Sequence, residues 1–184
     1  MSKKNILESL EAQIMIPPDA DAKLQSLLQH WESTYYGALS VLLANLRFLA
    51  LLHQFHHWTV SGSSYYGDHL LFQRLYEGVT EEIDSLAERA IGLGSECNVD
   101  LRMQFDTIYA FIKDYSMAGV TYARDGDLAY KSLDAEYNFL RVAQVIREYL
   151  DANGMLTGGL EDLLPAIEGK HEEHIYLLKQ RVGG

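Results

Sequence analysis

From Trp31 to His53 the apolar and aromatic side chains fall at steps of three and four: Trp31, Tyr35, Leu39, Leu42, Leu46, Leu49, His53. That is the period of a helix with one buried stripe. A second run repeats it, with Leu70, Leu71, Leu75, Val79, Ile83, Leu86 and Ala90 facing inward and Gly94 as a glycine stop. Only the turn Ser61-Gly62-Ser63-Ser64 separates the two runs, so the helices, over about 20–58 and 66–94, are expected to be antiparallel neighbours. The next connection, from 95 to about 123, is too long for a hairpin, and Phe105, Ile108, Tyr109, Phe111 and Ile112 place a short helix inside it. Two more long helices are predicted over about 127–153, closed by Asn153-Gly154, and about 160–181, with a kink or start near Pro165. No segment alternates as a strand does. The chain reads as all-α: four long helices with a helix-bearing crossover between the second and third.

Composition sets the class. At 184 residues and 48 % hydrophobic content the chain is long enough for one complete core. It divides into a short N-terminal extension over 1–19, with Lys3 and Lys4 and then Pro17-Pro18, and a single domain over 20–184. The most apolar stretch, Ala38 to Leu52, is broken by Asn45 and Arg47, which suits a buried helix better than a membrane span. With no export signal evident and one cysteine, Cys97, a cytoplasmic protein without disulfides is expected. The net charge of −11 favours cations over phosphate, so the folded surface is a poor match for nucleic acid. Glycine-rich phosphate loops, G-x-S-x-G and Cys-x-x-Cys do not occur.

Four residues carry the candidate chemistry: His57, His69, Asp84 and Glu88. Imidazole and carboxylate are ligands that iron, zinc and manganese accept. Asp84 and Glu88, four apart, share one helix face. His57 closes the first helix and His69 opens the second, so both lie at one end of the pair. Asp84 follows His69 by 15 residues, about 22 Å along a helix. One chain therefore cannot bring all four to one ion, whereas two chains docked antiparallel on a two-fold axis could, giving two equivalent sites. Spacing alone leaves a second reading open, in which the histidines are ordinary helix-end groups and the acids a solvated face.

The segment H-W-x-V-x-G, Y-Y-G-D-H and I-D-x-L-A-E-R-A-I-G-L-G, over residues 56–94, resembles the mini-ferritins called DNA-protection-during-starvation (Dps) proteins. The C-terminal HEEHIYLLKQ is similar to that family's last helix. The resemblance implies a ferritin-like four-helix bundle and a twelve-subunit shell. It implies iron bound between subunits by the matching His57, His69, Asp84 and Glu88, with Trp58 a redox-active neighbour. It implies ferroxidase activity with hydrogen peroxide as oxidant, iron storage and protection against oxidative damage. Zinc or manganese could stand in iron's place. Asp151, Glu161 and Asp162 fall where the family builds its three-fold pores. One departure is Gln73, where many members carry an aspartate; an amide is a poorer ligand for a hard cation, which weakens a second iron position. A DNA-compacting or purely structural assembly with little ferroxidase activity is the alternative; the acidic total and sparse basic tail speak against DNA binding.

The remaining histidines read as structural. His53 shares its stripe with Leu49 and is expected to be a hydrogen-bonded interior group. His171 and His174, three apart on the last helix, could bind adventitious metal, but they are expected to be exposed. Glu168-x-x-His171 is the chain's one Glu-x-x-His, whereas a di-iron site within one bundle needs two, which argues against a bacterioferritin-type centre.

Overall fold

The computed structural model describes residues 35–94, 99–114 and 127–183, all within one compact unit, Ser33–Gly184. Every regular element among them is a helix: α1 Tyr35–Thr59, α2 Tyr65–Leu93, α3 Leu101–Asp114, α4 Asp127–Ala152 and α5 Gly158–Val182. The expected domain boundary near residue 20, the start of the first helix and Cys97 lie outside the described residues.

Side-chain pairs fix the helix directions. Along α2 and α5, Asp68 meets Arg181, Arg74 meets Glu173 and Glu81 meets Lys170, a descending ladder that makes these helices antiparallel. Tyr130 with Val182 and Arg147 with Glu168 make α4 and α5 antiparallel as well. Hence α2 and α4 run the same way, and the connection between them returns along the bundle carrying α3. This is the ferritin-like connection and not the simple up-down one.

Burial on α1 is wider than one stripe. Every residue over 37–46 is buried, because α1 packs against α2, α4 and also α3. Gln104 of α3 donates its amide to Ser40 at both the carbonyl and the hydroxyl, 2.9 Å each, and Phe111 stacks on Phe48. Among the described residues one helix, Gly37–Thr59, is long and apolar enough to cross a membrane, yet 72 % of its most apolar stretch is buried in the protein. Near the turn joining α1 to α2, Val60, Phe72, Leu75, Leu128, Leu133, Ile175 and Leu178 close the core. Each fully buried side chain of this size contributes about 1.5–3 kcal/mol.

The helix ends are chemically specified. Gly154, at φ +66°, ends α4: its own N–H reaches the Asp151 carbonyl and that of Met155 the Leu150 carbonyl, the paired bonds of a Schellman stop. Thr157 caps α5, accepting from Leu160 N–H. α5 does not start near Pro165 but at Gly158, and that proline lies inside the helix.

Candidate metal centres

His57 and His69 meet across the α1–α2 turn, where Gly62 adopts φ +98°. Their rings stack with centroids 3.7 Å apart. Each Nδ1–H donates to the other residue's backbone carbonyl at 2.9 Å. A carbonyl can only accept, so each ring carries a hydrogen on Nδ1, and Nε2 is the nitrogen left to offer a lone pair when the ring is neutral. Anchoring one imidazole nitrogen on a carbonyl is how proteins orient metal-binding histidines. Tyr65 stacks on His69, and Tyr76 stands edge-on to His57.

Asp84 and Glu88 are exposed on α2, which is unbroken from Tyr65 to Leu93. The helix rise therefore keeps Asp84 about 22 Å from His69. The chain carries its imidazoles at one end of α2 and its carboxylates well along it. Gln73 donates its amide to Glu77 at 2.8 Å. Trp58 is 68 % exposed. Asp151, Glu161 and Asp162 are exposed.

A second cluster lies inside the bundle, and of its members only His53 is legible in the sequence as a hydrogen-bonded interior group. His53 of α1, Glu82 of α2, Glu136 of α4, and His171 and His174 of α5 are all buried, at 6 % exposure or less. Glu136 is the hub: His53 Nε2–H reaches its Oε1 at 2.8 Å, His174 Nδ1–H reaches the same oxygen at 3.1 Å, and His171 Nδ1–H takes Oε2. On its far side His171 Nε2–H donates to Glu82 Oε2 at 2.9 Å. Ser132 extends the chain, 3.1 Å from His53 Nδ1 and 2.8 Å from His56 Nδ1. With one hydroxyl hydrogen given to His53, Ser132 accepts from His56. Ligand atoms of Glu136, His171 and His174 lie within 4.8 Å of one another.

Electrostatics follow from burial and pairing. Burial alone would raise Glu136, but the facing His171 and the three imidazole hydrogen bonds outweigh it and hold the carboxyl well below its usual range. Burial would lower His171; Glu136 and then Glu82 override it and lift that imidazole to about 9. His53 stays lowered, its burial exceeding the attraction of Glu136. His56 falls to about 3 through burial, helped by His53 and Lys131.

The expected exposure of His171 and His174 is thus corrected. Residues Leu164, Ile167, His171, His174 and Leu178 follow one another by threes and fours, all buried, so the stripe that seats the leucines carries the imidazoles inward. Glu168 of the Glu-x-x-His pattern faces Arg147 instead. On α2 the inward residue is Glu82, flanked by Val79 and Leu86, whereas Ile83 is half-buried.

No protein-family model matches the sequence. A DNA protection during starvation protein from Brevibacillus brevis is 27 % identical over 135 residues, covering 70 % of this chain and 80 % of that one. The Dps structure from Listeria monocytogenes superposes with TM-score 0.66 at 22 % identity, over 83 % of this chain and 96 % of that one. The Dps protein of Vibrio cholerae O1, described as one of a broad superfamily of ferritin-like diiron-carboxylate proteins, gives 0.63 at 20 % identity, over 79 % and 87 %. The resemblance to the Dps proteins holds in sequence and in fold. Within this Dps-like bundle the turn segment that carries the motif and the buried cluster are separate places. The Dps-type motif pointed to the first and gave no sign of the second.

Proposed function

We propose that the chain oxidises Fe²⁺ at sites shared between two subunits and stores the Fe³⁺ inside a hollow dodecamer, using hydrogen peroxide as oxidant. Two ferrous ions each give one electron, and peroxide with two protons leaves as two waters, so no hydroxyl radical is released. His57 and His69 are the neutral ligands; Asp84 and Glu88 of the neighbouring subunit supply negative charge, which favours the ferric product. Exposed Trp58 intercepts stray oxidising equivalents.

The reciprocal His57–His69 locking carries this reading, because it fixes two Nε2 lone pairs before any ion arrives. A second support is that Leu51 of α1 and, well separated along α2, Leu70 and Ile91 are apolar side chains 45 % to 49 % exposed, available for a partner subunit to cover. The relatives' names carry DNA protection, but with a net charge of −11 we assign that protection to iron chemistry and expect weak or absent DNA binding. The single cysteine suits the cytoplasm.

Stopped-flow oxidation of Fe²⁺ by peroxide tests the proposal. The His57→Ala/Asp84→Ala variant should lose more than about tenfold in rate, since even outer partners of metal ligands are worth that much. Equal rates in variant and parent, with assembly intact by light scattering, would leave a structural shell and remove the enzyme.

A further inference from the structure

We propose that each subunit also binds one divalent transition-metal ion in the middle of its own bundle, through Glu136, His171 and His174. Two imidazoles and a carboxylate form a three-ligand set with an open position, an arrangement that transition metals accept. Two ligands bonded at about 2.1 Å to one tetrahedral ion stand about 3.4 Å apart. His174 Nδ1 and Glu136 Oε1 are already 3.1 Å apart, and the three residues' ligand atoms span no more than 4.8 Å. Small side-chain shifts therefore suffice to close the set on an ion.

The supporting shell is in place. Glu82 takes the Nε2–H of His171, so Nδ1 of that ring faces the ion once the proton it donates to Glu136 is released to solvent on binding. His53, backed by Ser132, holds Oε1 of Glu136. Such outer partners fix ring orientation and raise ligand basicity. Glu82 also shows a cost that hydrogen bonding does not explain: it is 3 % exposed, and its Oε1 has no partner. Buried carboxylates are paired or drawn to a metal, and a dication balances Glu82 and Glu136 together. Gly78, one turn before Glu82, leaves His174 Nε2 uncrowded, since even an added Cβ would come only to 3.5 Å.

The composition separates this centre from a di-iron one. Di-iron bundles take a Glu from two helices and a Glu-x-x-His from each of the other two. Here α1 offers His53, α2 offers Glu82 followed by Ser85, whose hydroxyl bonds its own helix at Glu81, and α5 offers His171-x-x-His174. Two carboxylates and three imidazoles suit a single ion.

The test uses the full chain carrying His57→Ala/Asp84→Ala, so that the inter-subunit sites are absent. It is stripped with chelator, loaded with Zn²⁺, gel-filtered and analysed for zinc. One zinc per chain and a raised melting temperature are expected, with visible absorption when Co²⁺ replaces zinc. Adding His174→Ala should abolish retention, and Glu82→Gln, which preserves shape, should weaken affinity about 10- to 100-fold. Zinc absent from the double variant, or retained equally by the His174→Ala and Glu82→Gln chains, overturns the proposal. Loss of ferrous oxidation without loss of this zinc marks the inter-subunit reading as a separate matter.

Discussion

Glu136→Ala is expected to lower the stability of the metal-free protein by about 3–5 kcal/mol, the cost of stranding buried partners of a removed charge. Three imidazoles share this carboxylate, and His171 is held protonated by it. Without it, His171 must either keep a buried charge with Glu82 as sole counterpart or give up its proton. Neither choice restores the lost hydrogen bonds of His53 and His174. Glu136→Gln keeps the volume and one acceptor and should cost less. Urea midpoints in chelator, all taken at one protein concentration so that self-association would weigh equally on each variant, read the difference. A midpoint shift of under about 1 kcal/mol would mean that the network is slack, since that is the value of one ordinary hydrogen bond.

The metal-free protein is also expected to be acid-labile in a window set by two histidines. His56 is buried against Phe72 and neutral, with a folded value of about 3. An unfolded histidine titrates near about 6.5. Its depressed value contributes stability that is fully present above about pH 6.5 and shrinks as pH falls toward 3. At pH 4.5 about 3 kcal/mol is gone from this residue alone, at 1.36 kcal/mol per pH unit. His53 acts in the same direction, and Glu136 adds its loss as the solution falls below the ordinary carboxylate range. His171 acts oppositely: raised to about 9, it contributes below about pH 6.5 and fades as pH climbs through 9. Thermal melts from pH 4.5 to 9.5 should therefore trace a dome, and His56→Leu should flatten its acid limb. A parent acid limb no steeper than that of the variant would contradict the buried neutral imidazole.

Most of the helical architecture is legible in the sequence because periodic apolar residues and glycine stops act locally. The second and third long helices were expected over 66–94 and 127–153, and Tyr65–Leu93 and Asp127–Ala152 are observed. What periodicity hides is which neighbour covers a face. The stripe on α1 widens into all-round burial because α3 lies on its outer side. Polar residues on a buried stripe are hidden for a related reason. His53, in step with Leu49, is legible as an interior group, whereas His171 and His174 look like surface residues until the carboxylate that satisfies them, 35 or 38 positions away, is brought alongside. His57 and His69 were legible from their motif. The mutual carbonyl locking that makes them suitable ligands depends on the turn geometry.

The unbroken α2 helix has a genetic consequence. On the two-subunit reading every protomer lends imidazoles to one centre and acids to the other, so two crippled chains with different lesions can rescue each other. A mixed pair of His57→Ala and Asp84→Ala protomers holds one doubly damaged centre and one that is whole, and co-expression should restore turnover that neither parent possesses.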